Sequence, residues 1–198
     1  MLIPLLPFIG FAIAASVTPG PNNIMVAASA ARNGVRATVP HMFGIAAGFG
    51  VMILIVGLGL AAPLARLPLL QSAMRWVGLI WLVYLAWQIA IAAPPEEGPA
   101  RPLMGFGGGA LFQWINPKAW LMALDIATSW VSVNHAAMPQ VMLMALVFVV
   151  VGVPSNLVWA GIGARAGSLL RTRRRLRWFN GAMAALLIAS IIPLVVGG

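Results

Sequence analysis

Apolar residues dominate six long stretches of the chain, and short polar or proline-rich segments separate these stretches. A bilayer core of about 30 Å is crossed by roughly 20 residues of α-helix. The pattern therefore predicts an all-α protein with six transmembrane helices, within residues 2–31, 37–62, 69–92, 105–133, 139–163 and 178–196. The first and fourth stretches are longer than one span needs and contain internal prolines, so we expect both to be broken helices.

A polar, proline-rich segment at residues 94–104 divides the chain nearly in half and holds two of its three acidic residues. We interpret residues 1–198 as a single membrane domain in which this segment is a cytoplasmic linker between two three-helix halves, residues 1–93 and 105–198. Three spans in each half oblige the second half to enter the membrane in the opposite direction, so the predicted repeat is inverted.

The composition decides the class of protein. With 62% hydrophobic and 8% charged residues, the chain lacks the polar surface that a soluble enzyme needs. Its net charge is +9, but the arginines lie between apolar stretches and not among stacking aromatic residues, which argues against a nucleic-acid partner. The absence of cysteine and the presence of only two histidines argue against a metal or a cofactor. We therefore expect a multi-pass integral membrane protein with neither.

The arginines predict the orientation in the membrane. Because cytoplasmic loops are enriched in Lys and Arg, the odd-numbered loops should face the cytoplasm and both termini should lie outside. The even-numbered loops carry only Arg66 and Arg75, whereas the odd-numbered loops carry Arg32, Arg36, Arg101, Arg165, Arg171, Arg173, Arg174, Arg175 and Arg177. We also expect the run from Arg171 to Arg177 to contact anionic membrane lipids.

The break in the first span reads Thr18, Pro19, Gly20, Pro21, Asn22. Neither proline has a backbone N–H, so carbonyls upstream lose their helical partners, which is costly in lipid unless another group bonds them. A transported solute or trapped water is a candidate partner. We expect a second half-helix to begin near Pro21 and to end at Gly34, with its positive N-terminal dipole inside the membrane.

The break in the fourth span has a sharper signature. Asn116 is a favoured N-cap and Pro117 a favoured first helical residue, so another half-helix should begin here. Lys118 follows in the first turn, where the helix dipole disfavours a cation unless a partner such as a carboxylate is present. Two opposed half-helix N-termini suit an anion, so we predict that the two breaks bind a substrate carboxylate. Ordinary proline kinks satisfied by neighbouring helices are the alternative.

Asp125 is the one acidic residue within a predicted span. A lone carboxylate costs at least ~2.5 kcal/mol in a bilayer, so we expect it to face the bundle interior and to couple transport to an ion. It would carry a proton or pair with a substrate ammonium. The alternative is a structural acid paired with an arginine or with a hydroxyl such as that of Thr128 or Ser129.

Other residues allow two interpretations each. The segment Pro154-Ser155-Asn156 either completes the binding site or joins helices through hydroxyl and amide contacts. His41 and His135 are predicted to lie at the membrane interface, and a ligand or proton-relay role is the alternative. The pairs Gly44/Gly48 and Gly163/Gly167 permit close helix packing, which leaves a homodimer open.

Three quoted segments closely resemble the lysine exporter and homoserine/threonine resistance (LysE/RhtB) family of amino-acid efflux proteins. They are Thr18-Pro19-Gly20-Pro21-Asn22, Met74-Arg75-Trp76-Val77-Gly78, and Gln113-Trp114-Ile115-Asn116-Pro117-Lys118-Ala119-Trp120. The resemblance implies a six-span protein of the bacterial inner membrane that exports an amino acid, driven by an ion gradient. In the branch that resembles lysine and arginine exporters, an aspartate occupies the position of Met122, and this departure argues against a cationic substrate.

The leading hypothesis is therefore a secondary exporter of an amino acid or a similar small zwitterion, with the proton as the expected coupling ion. A passive small-solute channel could share the broken helices but would not need an intramembrane titratable acid. An intramembrane enzyme is disfavoured, because the chain has no cysteine, no second membrane aspartate and no histidine beside a serine in a span.

The arginine bias yields a test of the topology. Alkaline phosphatase is active only outside the cytoplasm, so a fusion after Gly198 should be active and a fusion at Arg173 should be silent. Activity at Arg173 with silence at Gly198 would show that the orientation is reversed.

Overall fold

The computed structural model of the protein describes residues 4–60, 67–91, 104–132, 135–169 and 173–196, and these residues form helices joined by short breaks. Residues 56–60 and 126–130 extend two of the helices as π-helical turns. The α-helices are α1 (Leu5–Val17), α2 (Pro21–Ile55), α3 (Pro68–Ile91), α4 (Phe106–Phe112), α5 (Pro117–Asp125), α6 (Ala137–Leu169) and α7 (Arg173–Val196).

Helix α2 doubles back on itself at Gly34, whose φ of 79° and ψ of 165° are not helical. The Thr38 Oγ1 atom lies 3.2 Å from the Ser29 Oγ atom across this turn. Residues nine positions apart in a straight helix would be separated by roughly 13 Å, so the two parts of α2 must run antiparallel. Glycine is suited to this positive φ, which confirms the prediction that the half-helix ends at Gly34.

Both predicted helix breaks are present. Helix α1 ends at Val17, and α2 begins at Pro21. Helix α4 continues as one 3₁₀ turn, residues 113–115, and α5 begins at Pro117. The first and fourth predicted spans are therefore broken helices, as expected, whereas the inverted relation between the two halves stays a prediction.

Two predicted boundaries were wrong. The fifth span was expected to end at residue 163 and the sixth to begin at residue 178, but α6 continues to Leu169 and α7 begins at Arg173. Arg165 and Arg173–Arg177 thus lie in helices and not in a loop. Arginine is a good helix former with a long side chain that can reach the membrane surface from a helix end. The predictions for Arg66, Arg101, Arg171 and residues 94–103 of the linker fall outside the described residues.

The apolar surface of the described helices is suited to lipid. By length and composition, the stretches Pro21–Gly59, which the turn at Gly34 divides, and Ala137–Ser168 could cross a membrane, and Leu5–Val17 and Trp76–Ile91 are shorter apolar helices. On α3, Trp76, Ile80 and Trp87 are 57%, 67% and 57% exposed. Large apolar patches of this kind are rare on soluble monomers and normal on a surface that meets lipid.

Close helix crossings hold one end of the bundle together. A Cβ atom on Gly163 or Gly167 would overlap the carbonyl oxygen of Ala27 or Ala31, so α6 packs against the first part of α2 backbone to backbone. In the same way, Gly44 and Gly48 of α2 face the backbone of α4. Both small-residue pairs are therefore used within the chain.

Aromatic side chains occupy the other end. Phe8 and Phe11 of α1 contact Trp130 with ring centroids 5.0 and 5.4 Å apart. Phe148 of α6 lies 5.8 Å from Phe8 and 5.2 Å from Phe49 of α2. We call these five side chains the aromatic cluster.

The glycine crossing predicts a specific loss of stability. Gly163→Ala should lower the free energy of unfolding by about 1–3 kcal/mol, because the added methyl group meets backbone atoms that cannot rotate away. Gly161→Ala on the same helix is the matched control, since a Cβ there has no neighbour within 4 Å. Tryptophan-fluorescence melting in detergent should show a lower Tm for Gly163→Ala alone, and equal melting of the two variants would refute the tight crossing.

Candidate functional site

A cavity of about 70 Å³ lies where the two helix breaks meet. Five of the eight residues predicted to bind substrate line it, and Thr18, Pro19 and Pro117 do not. The lining residues come from the first break (Ala15, Ser16, Gly20, Pro21, Asn22, Asn23), the second part of α2 (Ile45, Ala46, Phe49), the second break (Gln113, Asn116, Lys118, Ala119, Met122) and α6 (Phe148, Gly152, Ser155, Asn156).

Protein side chains bond the carbonyl groups that the first break frees. Asn23 Nδ2 donates to the carbonyl oxygens of Ser16 and Thr18, each at 2.9 Å. Ser155 Oγ also donates to the Ser16 carbonyl, at 2.8 Å, and Trp159 Nε1 donates to that of Val17 at 3.2 Å. A solute or trapped water was a candidate partner, but protein side chains bond these three carbonyls. The side chains that replace it come from α2 and α6.

The N-terminus of α2 has no side-chain cap. Its N-cap is Gly20, which is extended, and Pro21 occupies the first helical position. The backbone N–H groups of Asn22 and Asn23 in this first turn have no helical acceptor. Because Gly20 and Asn22 line the cavity, this positive helix end faces the empty space.

Lys118 crosses from the second break to the first. Its Nζ atom donates to the Thr18 carbonyl at 3.1 Å. A Cβ atom on Gly20 would lie 3.0 Å from this Nζ atom, so the ammonium group sits beside the N-cap of α2. Lys118 lies at the start of α5, where the helix dipole disfavours a cation. Its contact with the first break gives a reason for this position, because the ammonium group bonds the Thr18 carbonyl there.

The second half-helix N-terminus differs from the first because a side chain caps it. Asn116 Oδ1 accepts a hydrogen bond from the Lys118 backbone N–H at 3.2 Å. Trp120 Nε1 donates to the Trp114 carbonyl at 2.9 Å, and this carbonyl lies on the other side of the break. The predicted cap is confirmed, but the α5 N-terminus offers fewer free donors to a ligand than that of α2.

An amide pair joins the two breaks directly. Asn22 Nδ2 donates to Gln113 Oε1 at 2.9 Å, and Gln113 Nε2 donates back to Asn22 Oδ1 at 3.2 Å. Gln113 also donates to the Gly109 carbonyl at 2.9 Å and is fully buried. Its place in a motif was visible in the sequence, but its contact with Asn22, 91 residues away, was not.

Helix α6 supplies neutral polar groups to the cavity. Asn156 is only 3% exposed and lines the cavity, and its side-chain amide makes no hydrogen bond to the described parts of the chain. Among the described lining residues, Lys118 alone carries a charge. The segment Pro154-Ser155-Asn156 therefore contributes to the site, with Ser155 fixing the first break and Asn156 facing the cavity.

Asp125 lies apart from the cavity. Its side chain is exposed, so the expectation that it faces the bundle interior was wrong. Its Oδ1 atom accepts a hydrogen bond from Ser129 Oγ at 2.8 Å, which is one of the hydroxyl partners named as the alternative. Thr128, the other candidate partner, bonds the Leu124 carbonyl at 2.9 Å. The residues described here include no group of three or more His, Asp or Glu that could hold a metal ion.

His41 lies inside the bundle. It is fully buried, and neither ring nitrogen has a hydrogen-bond partner. The backbone of α4 at Gly109 lies against the ring. His135 is exposed. The position of both histidines at the membrane interface stays a prediction.

Comparison with known proteins agrees with these motifs. A family model described as LysE type translocator matches residues 13–197. The cysteine/O-acetylserine efflux protein of Klebsiella pneumoniae subsp. pneumoniae is 29% identical over 194 residues, which cover 96% of this chain and 95% of the relative. The protein of the same name from Escherichia coli (strain K12) is 28% identical over 179 residues, 90% of each chain. No solved structure matches the chain.

The family match extends across both breaks and all but the first residues of the chain. It confirms the resemblance that the break motifs carry. The chain therefore belongs to the LysE family of amino-acid efflux transporters.

Proposed function

We propose that this protein exports a small neutral amino acid from the bacterial cytoplasm across the inner membrane, and that the substrate carboxylate binds between Lys118 and the N-terminus of α2. The observation that carries the proposal is the position of the Lys118 ammonium beside Gly20, over an uncapped helix end that faces the cavity.

A carboxylate fits this position on electrostatic grounds. An ammonium has three N–H donors, and the Thr18 carbonyl takes one of them. The free N–H groups of Asn22 and Asn23 and the positive end of the helix dipole act on the same point. The remaining predicted residues act indirectly: Pro19, Pro21 and Pro117 keep the breaks open, and Asn116 holds the first turn of α5.

The rest of the cavity suits a neutral side chain. Phe49, Met122 and Phe148 provide an apolar wall, and Asn156 provides a free amide that can accept from the substrate ammonium. No acid is found among the described lining residues, so a second positive charge on the substrate would meet Lys118 without compensation. Relatives named cysteine/O-acetylserine efflux proteins support a substrate of this class, and we propose these two compounds as the first to test.

Export against a gradient needs an ion, and we propose the proton, with Asp125 as an acid on the outer side of the cavity. Asp125 follows Met122 of the cavity wall by one helical turn. Under the predicted topology, this part of the fourth span lies in the outer half of the membrane. A passive channel remains the second candidate because it could use the same broken helices.

The carboxylate site is tested by counterflow in proteoliposomes. Wild-type protein should exchange labelled for unlabelled cysteine or O-acetylserine, and excess substrate on the opposite side should stimulate the exchange. Lys118→Met should weaken substrate binding roughly 10- to 100-fold, because it removes a charge-assisted hydrogen bond.

A chemical control separates binding at the carboxylate from general damage. Wild-type protein should prefer the amino acid to its methyl ester, and Lys118→Met should lose this preference. Transport without stimulation by opposite-side substrate would favour the channel. An unchanged preference for the acid in Lys118→Met would place the carboxylate elsewhere.

The half-helix caps yield a second test. Asn116→Ala should lower the exchange rate, because it removes an N-cap worth about 1 kcal/mol and leaves span hydrophobicity nearly unchanged. Asn116→Ser keeps a cap acceptor and should retain most of the rate. Pro21→Ala should also lower transport, because it allows α1 and α2 to join. Wild-type rates in Asn116→Ala and Pro21→Ala at equal expression would contradict a site built on the breaks.

A further inference from the structure

His41 is a buried titratable group that substrate binding does not use. Its side chain has no solvent exposure, and both of its ring nitrogens lack a hydrogen-bond partner. Buried polar groups in proteins are almost always paired, so an unpaired imidazole inside a membrane protein calls for a physical reason. A change of conformation that gave these ring nitrogens hydrogen-bond partners would remove this unfavourable state.

The ring lies against the backbone of α4. A Cβ atom on Gly109 would stand 2.9 Å from His41 Cδ2 and 2.7 Å from the His41 carbonyl oxygen, so only glycine allows this approach. Gly109 also accepts the hydrogen bond from Gln113, which lines the cavity. His41 therefore lies one α4 turn away from the amide pair, on the side opposite the aromatic cluster.

Other buried polar side chains continue from His41 toward the turn at Gly34. Thr38 is fully buried one helical turn away and lies beside Ser29, also fully buried. Asn33 has a side-chain amide whose nitrogen and oxygen are both buried without partners. Under the predicted topology this turn faces the cytoplasm, so the row runs from beside Gly109, one α4 turn from the cavity residue Gln113, toward the cytoplasmic surface.

Few charges face His41. Helix α4 has no titratable residue, and the first part of α2 has only Arg32, in its last turn. On its own half of α2, Arg36 is exposed, and Arg165 on α6 is exposed. An imidazolium here would have two N–H donors and no acceptor, so protonation requires water or another polar group to reach the ring.

We propose that His41 is the proton-binding residue on the cytoplasmic side of the substrate cavity, and that it exchanges its proton with the cytoplasm when α4 moves away from α2. The free nitrogen of the neutral ring accepts a proton from a hydronium ion that arrives through the cavity. The imidazolium then returns one proton to cytoplasmic water, and no other bond changes. Histidine suits this role because it titrates near physiological pH. The inference rests on the proposed export function and adds a coupling residue to it.

The test compares the chain's two histidines in proteoliposomes of the full-length protein, with cysteine or O-acetylserine as substrate and a pH-sensitive dye in the lumen. Substrate exchange at equal pH and substrate-dependent proton movement are measured separately. His41→Gln should retain exchange within about twofold while proton movement falls at least tenfold, because glutamine is polar but does not titrate in this range. His135→Gln, at the exposed histidine, should match wild type in both readouts.

Each outcome bears on one proposal. Proton movement at the wild-type rate in His41→Gln overturns the role of His41. Loss of substrate exchange in a folded His41→Gln variant also overturns it, because exchange needs no net proton transfer. His41→Ser, smaller and also non-titrating, gives the same comparison if the glutamine variant does not insert. Exchange without proton movement in wild type overturns the inference and leaves amino-acid export standing, whereas no exchange at all in wild type overturns the export function itself. Asp125→Asn in the same vesicles tests the outer acid separately.

Discussion

A helix interrupted inside a membrane leaves backbone groups that lipid cannot bond, and the partners that these groups require organise this molecule. The freed carbonyls of Ser16, Val17 and Thr18 bring together three elements: Asn23 from α2, Ser155 and Trp159 from α6, and Lys118 from α5. The same contacts that satisfy the break therefore assemble the cavity. The N–H groups at the start of α2 are the exception, because Gly20 supplies no cap. Carbonyls bonded by protein and amides left free are the basis of the proposed anion site.

The two ends of the cavity would open through different kinds of movement. On the side of the Gly34 turn, α2 meets α4 and α6 through glycines at backbone distance, so separation there must move whole helices. On the other side, the aromatic cluster covers the cavity with Phe49 and Phe148, side chains that can rotate while their helices stay in place. Alternating access in such a structure would combine a rigid-body movement at one end with side-chain rearrangement at the other.

The local features were predictable because local chemistry determines them. Proline and glycine set both breaks, asparagine the cap at residue 116, and glycine the turn at residue 34. Lys118 was identified from the sequence as an unfavourably placed cation, because it lies in the first turn of a predicted half-helix. Contacts between distant segments were not predictable, so the Asn22–Gln113 pair and the free amide of Asn156 appear only in the folded chain. The burial of His41 has the same origin, because it comes from the antiparallel packing of α2 and from Gly109 of α4.

Charge balance in the proposed site would separate neutral from cationic amino acids. A zwitterion bound as proposed would bring one carboxylate to Lys118 and one ammonium to neutral acceptors, so its charged pair would add no net charge to the cavity. An amino acid with a cationic side chain adds a charge that only a further acid could offset. Met122 lines the cavity, whereas Asp125, one turn farther along, is exposed and bonded to Ser129. The position of a single carboxylate along α5, inside the cavity wall or beyond it, would thus decide which class of amino acid the site accepts at low energetic cost.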